Sequence, residues 1–168
     1  KAKIKMDSKY HLFFYSLMSK LGMRPFSNSN LIKLYNNIFT ESIINSKYCF
    51  SCGSTVEVTL RKFFEVPACG SLLILEPFSF EGNRMLKSLG FIDGHNFISC
   101  HNENLIDKIA ELERNTEYAS KIALRGQEMV FKNHSAVARS EQIFKSLDAI
   151  SKGQFKGTSW VKGKFKLI

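Results

Sequence analysis

The chain has 168 residues, of which 44% are hydrophobic and 23% charged, and its formal net charge is +9. This composition is typical of a folded domain with a hydrophobic core and excludes an intrinsically disordered chain. No apolar run reaches the roughly 20 residues that a membrane-spanning helix needs, and the basic excess favours anionic partners.

Residues 1–47 are predicted to form an N-terminal helical or partial Rossmann segment. The alternation in KAKIKM predicts a short edge strand, and residues 8–24 and 27–46 have the apolar spacing and polar caps of helices. The chain begins with Lys1 rather than methionine, so we expect a fragment or a processed chain.

Strands and helices alternate over residues 48–150. KYCFSC is predicted to be a strand that Gly53 ends, and STVE fits a capping box that starts a helix at Ser54. Pro67 and Gly70 are expected to end this helix, and the run SLLIL is typical of a parallel strand covered on both faces. Helices at 82–89, 102–115, 116–133 and 135–150 and a strand at 96–100 follow. The alternation predicts an α/β fold with an open parallel Rossmann-like sheet flanked by helices.

The turn SCGSTVE is the best candidate for a binding site. Ligands of such sheets bind beyond the carboxyl ends of the strands, against helix N-termini. Gly53 permits a tight turn, and the amides of Ser54 to Val58, which include Thr55, are placed to cradle a phosphate. The chain has neither G-x-G-x-x-G nor G-x-x-x-x-G-K-[ST], so a dinucleotide or Walker-type site is not supported.

Glu57, Arg61 and Glu65 are spaced to share one side of the predicted helix. At roughly 1.5 Å per residue, the two glutamates would lie about 12 Å apart, which suits the length of a nucleotide-sugar. The same spacing also fits a salt-bridge ladder worth a few tenths of a kcal/mol per pair, and Glu57 fits the capping box. Spacing alone leaves both interpretations open.

Three ordered segments carry a family resemblance. They are LRKFFEVPACGSLLIL, LGFIDGHNFI and IALRGQEMVFKNHSAVAR. Together with EVTLRKFFE, which matches an E-x7-E pattern, they resemble the donor-binding half of group-1-type GT-B glycosyltransferases related to spore maturation proteins. The resemblance covers roughly residues 48–147.

The resemblance implies a role for each matching residue. Glu57 would contact the donor sugar as the catalytic candidate, Val58 and Thr59 would approach the donor phosphates, and Glu65 would hold the ribose. Arg61 is a further phosphate contact.

The function implied is transfer of a hexose from a nucleotide diphosphate sugar to a glycan, lipid or protein. The donor is the only small molecule required; no cofactor is implied, and no metal, because no Asp-x-Asp pair is present. The resemblance places the protein in the cytoplasm and implies an acceptor-binding domain that this chain lacks. We therefore expect the isolated chain to bind nucleotide without turnover.

Residues 151–168 form a basic, aromatic tail. It carries five lysines, no acid, and Phe155, Trp160 and Phe165, which suits an anionic membrane surface. A flexible tail without a partner is the alternative. The four cysteines are expected to be reduced and mostly buried. Two other functions remain open, a non-catalytic α/β scaffold and, from the charge alone, a nucleic-acid-binding domain, although no recognition motif favours the second.

Overall fold

The structure is a computed structural model that describes residues 29–52 and 59–168. The predicted strand at residues 1–6 and helix at 8–24 lie outside the described residues. The chain divides into two compact units, residues 1–42 and 43–168. Helix α1, Ser29–Ile44, confirms the helix predicted within residues 27–46. The functional boundaries predicted after residues 47 and 150 stay a prediction.

Three parallel strands form the main sheet, in the spatial order β1–β2–β3. They are β1, Tyr48–Ser51; β2, Leu72–Leu75; and β3, Ile98–Ser99. Strand β1 pairs with β2 along its whole length, and β2 pairs with β3 over two residues. Parallel strands joined by helices confirm the predicted α/β class, and the small sheet is compatible with part of a Rossmann-like fold.

Five helices follow β1 within the described range 59–168. They are α2, Lys62–Ala68; α3, Phe80–Leu89; α4, Leu105–Arg114; α5, Thr116–His134; and α6, Ala136–Ser151. A 3-10 turn at Asn102–Asn104 precedes α4. The break between α5 and α6 lies at Ser135, whose hydroxyl accepts a hydrogen bond from the Ala138 amide at 3.2 Å.

The core confirms the apolar patterns seen in the sequence. All four residues of β2 are buried, as expected for a strand covered on both faces. Leu72 and Ile74 belong to a buried cluster that includes Leu112 of α4 and Ile122 of α5. Because side chains alternate along a strand, the neighbouring residues of β2 are buried on the opposite face.

Helix α5 crosses close to the backbone that leads into β3. A Cβ atom at Gly126 would lie only 2.7 Å from the Asn96 carbonyl oxygen and 3.4 Å from the Pro67 Cβ. The absence of a side chain at Gly126 therefore permits this approach. Pro67, expected to end α2, instead lies within its last turn, and the helix is followed by Gly70 with φ of +83°.

The tail is ordered, so the alternative of a flexible tail is wrong. Strands β4, Thr158–Val161, and β5, Lys164–Leu167, pair as an antiparallel hairpin. Both residues of the connecting turn have positive φ, 52° at Lys162 and 76° at Gly163, which is the geometry of a tight two-residue hairpin turn. The Gly163 amide donates to the Ser88 carbonyl at 2.8 Å, so the tip of the hairpin is fixed to the end of α3.

The residue before β2 is tied to the segment before β1. The buried Ser71 hydroxyl lies 2.6 Å from the Ile43 carbonyl oxygen and 2.7 Å from that of Ser46. One short side chain therefore contacts a carbonyl in the last turn of α1 and another in the loop that leads into β1.

The cysteines are free thiols whose burial differs from the prediction. Cys100 is buried, Cys49 and Cys69 are partly buried, and Cys52 is exposed. Cys52 is exposed because it follows the last residue of β1 at the open edge of the sheet.

Candidate functional site

The carboxyl ends of the three parallel strands meet at one edge of the sheet. The Glu76 amide donates to the Ser51 carbonyl at 3.2 Å, and the Cys100 amide donates to the Leu75 carbonyl at 2.8 Å. Cys52, Glu76 and Cys100 therefore follow the three strands side by side at this edge. Ligands of open α/β sheets bind at this edge.

The predicted helix from Ser54 to Val66 is confirmed over Lys62–Val66, but the described residues before Lys62 are not helical. Thr59 and Leu60 are not helical, and α2 begins at Lys62. Val56, Val58 and Thr59 are β-branched, which disfavours a helix. The Thr59 hydroxyl instead lies 3.3 Å from the Met85 sulfur of α3. Glu57 and Glu65 therefore do not share one continuous helix, and the helical spacing of about 12 Å does not apply to them.

Most of the predicted donor-binding residues lie outside the described residues. These are Gly53, Ser54, Thr55, Glu57 and Val58. Thr59, Arg61 and Glu65 are described: Thr59 and Arg61 lie in the connection that leads into α2, and Glu65 lies within α2. The roles predicted for all eight residues stay predictions.

Arg61 and Glu65 form an ion pair on the surface. The Arg61 Nε atom lies 2.7 Å from Glu65 Oε1, and the side chains are 75% and 31% exposed. An exposed pair with this i, i+4 spacing contributes only about 0.3–0.5 kcal/mol to stability. This contact is one half of the salt-bridge ladder considered from the sequence. Because the guanidinium is mostly exposed, Arg61 also remains accessible to an anionic ligand.

The first amides of α2 are already occupied. The Phe63 amide donates to the Leu60 carbonyl, and the Phe64 and Glu65 amides both donate to the Arg61 carbonyl at 3.0–3.1 Å. These three groups are therefore not available to a phosphate. Any cradle of backbone amides would have to come from residues before Phe63.

Glu76 is a candidate that the sequence reasoning missed. It is partly buried and follows the central strand at the same edge. Its position directly after the run SLLIL was the available signal, because a polar residue after a buried parallel strand lies at the ligand-binding edge. Helix α3 is fixed nearby, since the Asn83 side-chain amide donates to the Phe78 carbonyl at 2.8 Å.

A cluster of aromatic side chains, a histidine and an arginine lies where the hairpin meets the α5–α6 junction. We call Phe64, His134, Arg139, Trp160 and Phe165 the docking cluster. The rings of His134 and Trp160 stack with centroids 5.0 Å apart, and the Arg139 guanidinium lies 4.3 Å from the Trp160 ring centroid. Phe64 and Phe165 extend the cluster on either side.

The contacts of His134 identify its protonation state. Its Nε2 atom is 2.8 Å from the Leu89 carbonyl oxygen, which can only accept, and its Nδ1 atom is 2.9 Å from the Arg139 guanidinium, which can only donate. The imidazole is therefore neutral with the proton on Nε2. Burial lowers the pKa of His134, the contact with Leu89 opposes this effect, and the charge of Arg139 lowers the pKa further.

His134 is the last residue of α5. Its contacts with Phe64, Leu89 and Trp160 could not be predicted, because these partners lie on segments distant in the sequence. No signal in the sequence pairs His134 with Trp160.

The opposite edge of the sheet carries a polar cluster at the start of β1. Both carboxylate oxygens of Glu113 lie 3.1 Å from the Lys47 ammonium. Burial, together with the hydrogen bond and the charge of Glu113, raises the pKa of Tyr48 to about 12. Lys47 and Tyr48 in turn lower the pKa of Glu113. These contacts link β1 to α4.

Membrane spans and metal sites are both missing from the part of the chain that the structure describes. None of the helices at residues 29–52 and 59–168 is long and apolar enough to cross a membrane. Within the same ranges, no three His, Cys, Asp or Glu side chains group in a way that could hold a metal ion.

Comparison with known proteins identifies one family. The sequence profile of a family described as glycosyl transferase-like matches residues 31–145, more than half of the chain. No curated protein sequence matches the chain. The matched range includes the three strands, helices α2 to α5 and the Thr59–Glu65 segment, and it ends before the hairpin.

Proposed function

Because the chain belongs to the glycosyltransferase-like family, we propose that it is the donor-binding half of a GT-B glycosyltransferase. The family match carries the general part of this proposal, which is glycosyl transfer. The finer part rests on the resemblance to group-1-type enzymes related to spore maturation proteins. In this proposal the donor is a nucleotide diphosphate sugar, and a hexose passes to a glycan, a lipid or a protein.

The chemistry required is the exchange of one bond at the anomeric carbon. The bond from this carbon to the diphosphate oxygen breaks, a bond to an acceptor hydroxyl oxygen forms as that hydroxyl loses its proton to solvent, and the nucleoside diphosphate leaves with the bonding electron pair and added negative charge. Positive groups near the diphosphate stabilise this leaving group. Arg61 is the described residue proposed for this task, because its guanidinium is mostly exposed on the segment that leads from β1 into α2.

The acidic residues are proposed to orient the donor. Glu65 accepts hydrogen bonds from the ribose hydroxyls, and Glu57 accepts them from the hexose. Amides between Gly53 and Thr59 contact the diphosphate, since the Phe63, Phe64 and Glu65 amides of α2 are already bonded. Ribose binding by Glu65 competes with its contact to Arg61, so donor binding would release Arg61 toward the diphosphate.

The proposal includes a second, acceptor-binding domain, without which the chain binds donor and transfers nothing. It places the protein in the cytoplasm, with peripheral contact to an anionic membrane face. Trp160 and Phe165 pack within the docking cluster, so we attribute this contact to the lysines of the tail rather than to inserted aromatic rings.

Calorimetric titration with uridine and guanosine diphosphate sugars tests donor binding. We expect saturable binding of one of them, weakened about tenfold by Glu65→Gln, because a charged hydrogen-bond acceptor is lost. Glu81→Gln is the matched control, since Glu81 pairs with Arg84 at 2.7 Å in a similar surface ion pair on α3. Absence of saturable binding, or equal losses in the two variants, would favour the non-catalytic scaffold.

A further inference from the structure

An open groove of about 420 Å³ lies between one face of α6 and strand β5. Helix α6 contributes Ala138, Glu141, Gln142 and Lys145, whose i, i+3, i+4, i+7 spacing places them on one face. The end of α5 closes the groove. We call this feature the lysine groove, because one lysine enters from each of its three walls.

The three lysines are Lys132 of α5, Lys145 of α6 and Lys164 of β5. None of their side chains forms an ion pair or a hydrogen bond with any residue in the described ranges. Glu141 is the acidic residue in the lining, so the three lysines and this glutamate leave the walls with a net charge of about +2. Like charges that converge without a partner create a positive potential in the groove.

The walls of the groove are fixed by contacts behind them. The Gln142 side chain donates to the Asn133 carbonyl at 3.1 Å and accepts from Arg139 at 3.4 Å. Phe165, which lines the groove, packs its ring edge to face on Trp160 with centroids 5.7 Å apart. The docking cluster therefore holds β5 against α6, and the positions from which the three lysines project are set before any ligand arrives.

We propose that the lysine groove binds a phosphate-bearing ligand. Three ammonium groups act as point charges without a required geometry, so they suit an anion that carries two or more negative charges. Phosphate monoesters and diphosphates do so near neutral pH, whereas a single carboxylate does not. Phe165 and Leu167 provide an apolar wall for the organic part of such a ligand.

This site is independent of the proposed donor site. The two share no residue, and β5 lies beyond the range matched by the family profile. The shared chemistry is the phosphate group, which could belong to a soluble metabolite or to the headgroup of an anionic lipid. Inorganic pyrophosphate and phosphatidylglycerol vesicles represent these two sources.

The first arm of the test is calorimetric titration of the chain with inorganic pyrophosphate at low ionic strength. We expect saturable binding that K132Q/K145Q/K164Q weakens about tenfold, since three exposed charge contacts are lost. The matched control is K33Q/K87Q/K121Q, which removes the same charge from three exposed lysines outside both the groove and the tail; it should change affinity less than about twofold. Glu141→Gln should strengthen binding, because it removes the acidic residue.

The second arm is sedimentation with phosphatidylglycerol vesicles. If only vesicle binding depends on the three groove lysines, the ligand is an anionic lipid. If only pyrophosphate binding depends on them, the ligand is a soluble phosphate. Equal losses in the two triple variants, or no binding in either arm, would overturn the proposal. The proposal would also be overturned if Glu65→Gln changed pyrophosphate binding and K132Q/K145Q/K164Q did not. That result would assign pyrophosphate to the donor site.

Discussion

Substitution of Gly163 by alanine should release the hairpin from the end of α3. A Cβ at this position would lie 3.0 Å from the Gly90 Cα and 3.3 Å from the Leu89 carbonyl oxygen. Both are backbone atoms and cannot move aside as a flexible side chain would. We expect this overpacking to cost about 1–3 kcal/mol, in addition to about 1 kcal/mol for an alanine with positive φ.

Gly153→Ala separates these two effects. Gly153 has φ of +66°, close to the +76° of Gly163, but a Cβ there would meet no atom within 4 Å. This control therefore carries the backbone cost without the clash. The difference between the two variants should be the clash alone, about 1–3 kcal/mol.

Urea unfolding followed by tryptophan fluorescence measures this difference. Trp160 is the one tryptophan of the chain, and it lies in the docking cluster, so its emission reports the hairpin. With a urea dependence of about 2 kcal/mol/M, the fluorescence midpoint of Gly163→Ala should lie about 1 M below that of Gly153→Ala. Midpoints that agree within about 0.2 M would refute the contact between the hairpin tip and α3.

Two further predictions concern pH and helix packing. The folded protein depresses the pKa of His134. The neutral imidazole therefore contributes its full stabilisation above the ordinary pKa of about 6.5, and this stabilisation is lost as the pH falls from there through the folded pKa. The free energy of unfolding, monitored by Trp160 fluorescence, should fall over this pH range, and His134→Gln should remove that pH dependence. Gly126→Ala should lower the melting temperature, because its Cβ would meet the Asn96 carbonyl oxygen at 2.7 Å. The overpacking cost of about 1–3 kcal/mol exceeds or balances the gain in helix propensity of about 1 kcal/mol. Ser120→Ala, on the exposed side of α5, is the control and should not destabilise the protein. An unchanged pH slope in the first case, or a stabilised Gly126→Ala protein in the second, would contradict the contacts described.

The sheet is predictable from the sequence because buried strands and helix faces have apolar residues at characteristic spacings along the chain. The run from Leu72 to Leu75 is apolar at every position, which a strand covered on both faces requires. The inward residues of α4 and α5, such as Leu112 and Ile122, follow from helical spacing. These features depend on neighbours in the chain, so one sequence is sufficient to find them.

The start of α2 and the form of the tail were predicted wrongly for different reasons. The capping-box pattern at Ser54 competes with the β-branched run up to Thr59, and propensity alone does not decide between them. In the tail, the Lys162–Gly163 turn between alternating residues is a hairpin signal, but composition dominated the interpretation of its lysines and aromatic residues. The candidate site was predictable in its place, at the edge after β1, but not in the contact of Thr59 with Met85.

The bond made by Ser71 has a practical consequence for dividing the protein. A shortened version that starts at Tyr48, where the sequence suggests that a new segment begins, would lack the Ile43 and Ser46 carbonyl groups that this hydroxyl contacts. The serine hydroxyl would then lose both acceptors at the entry to the central strand, and the loss of such a hydrogen bond costs about 0.5–1.5 kcal/mol. Any truncation meant to fold should therefore begin at Ile43 or earlier, so that both acceptors stay with the sheet.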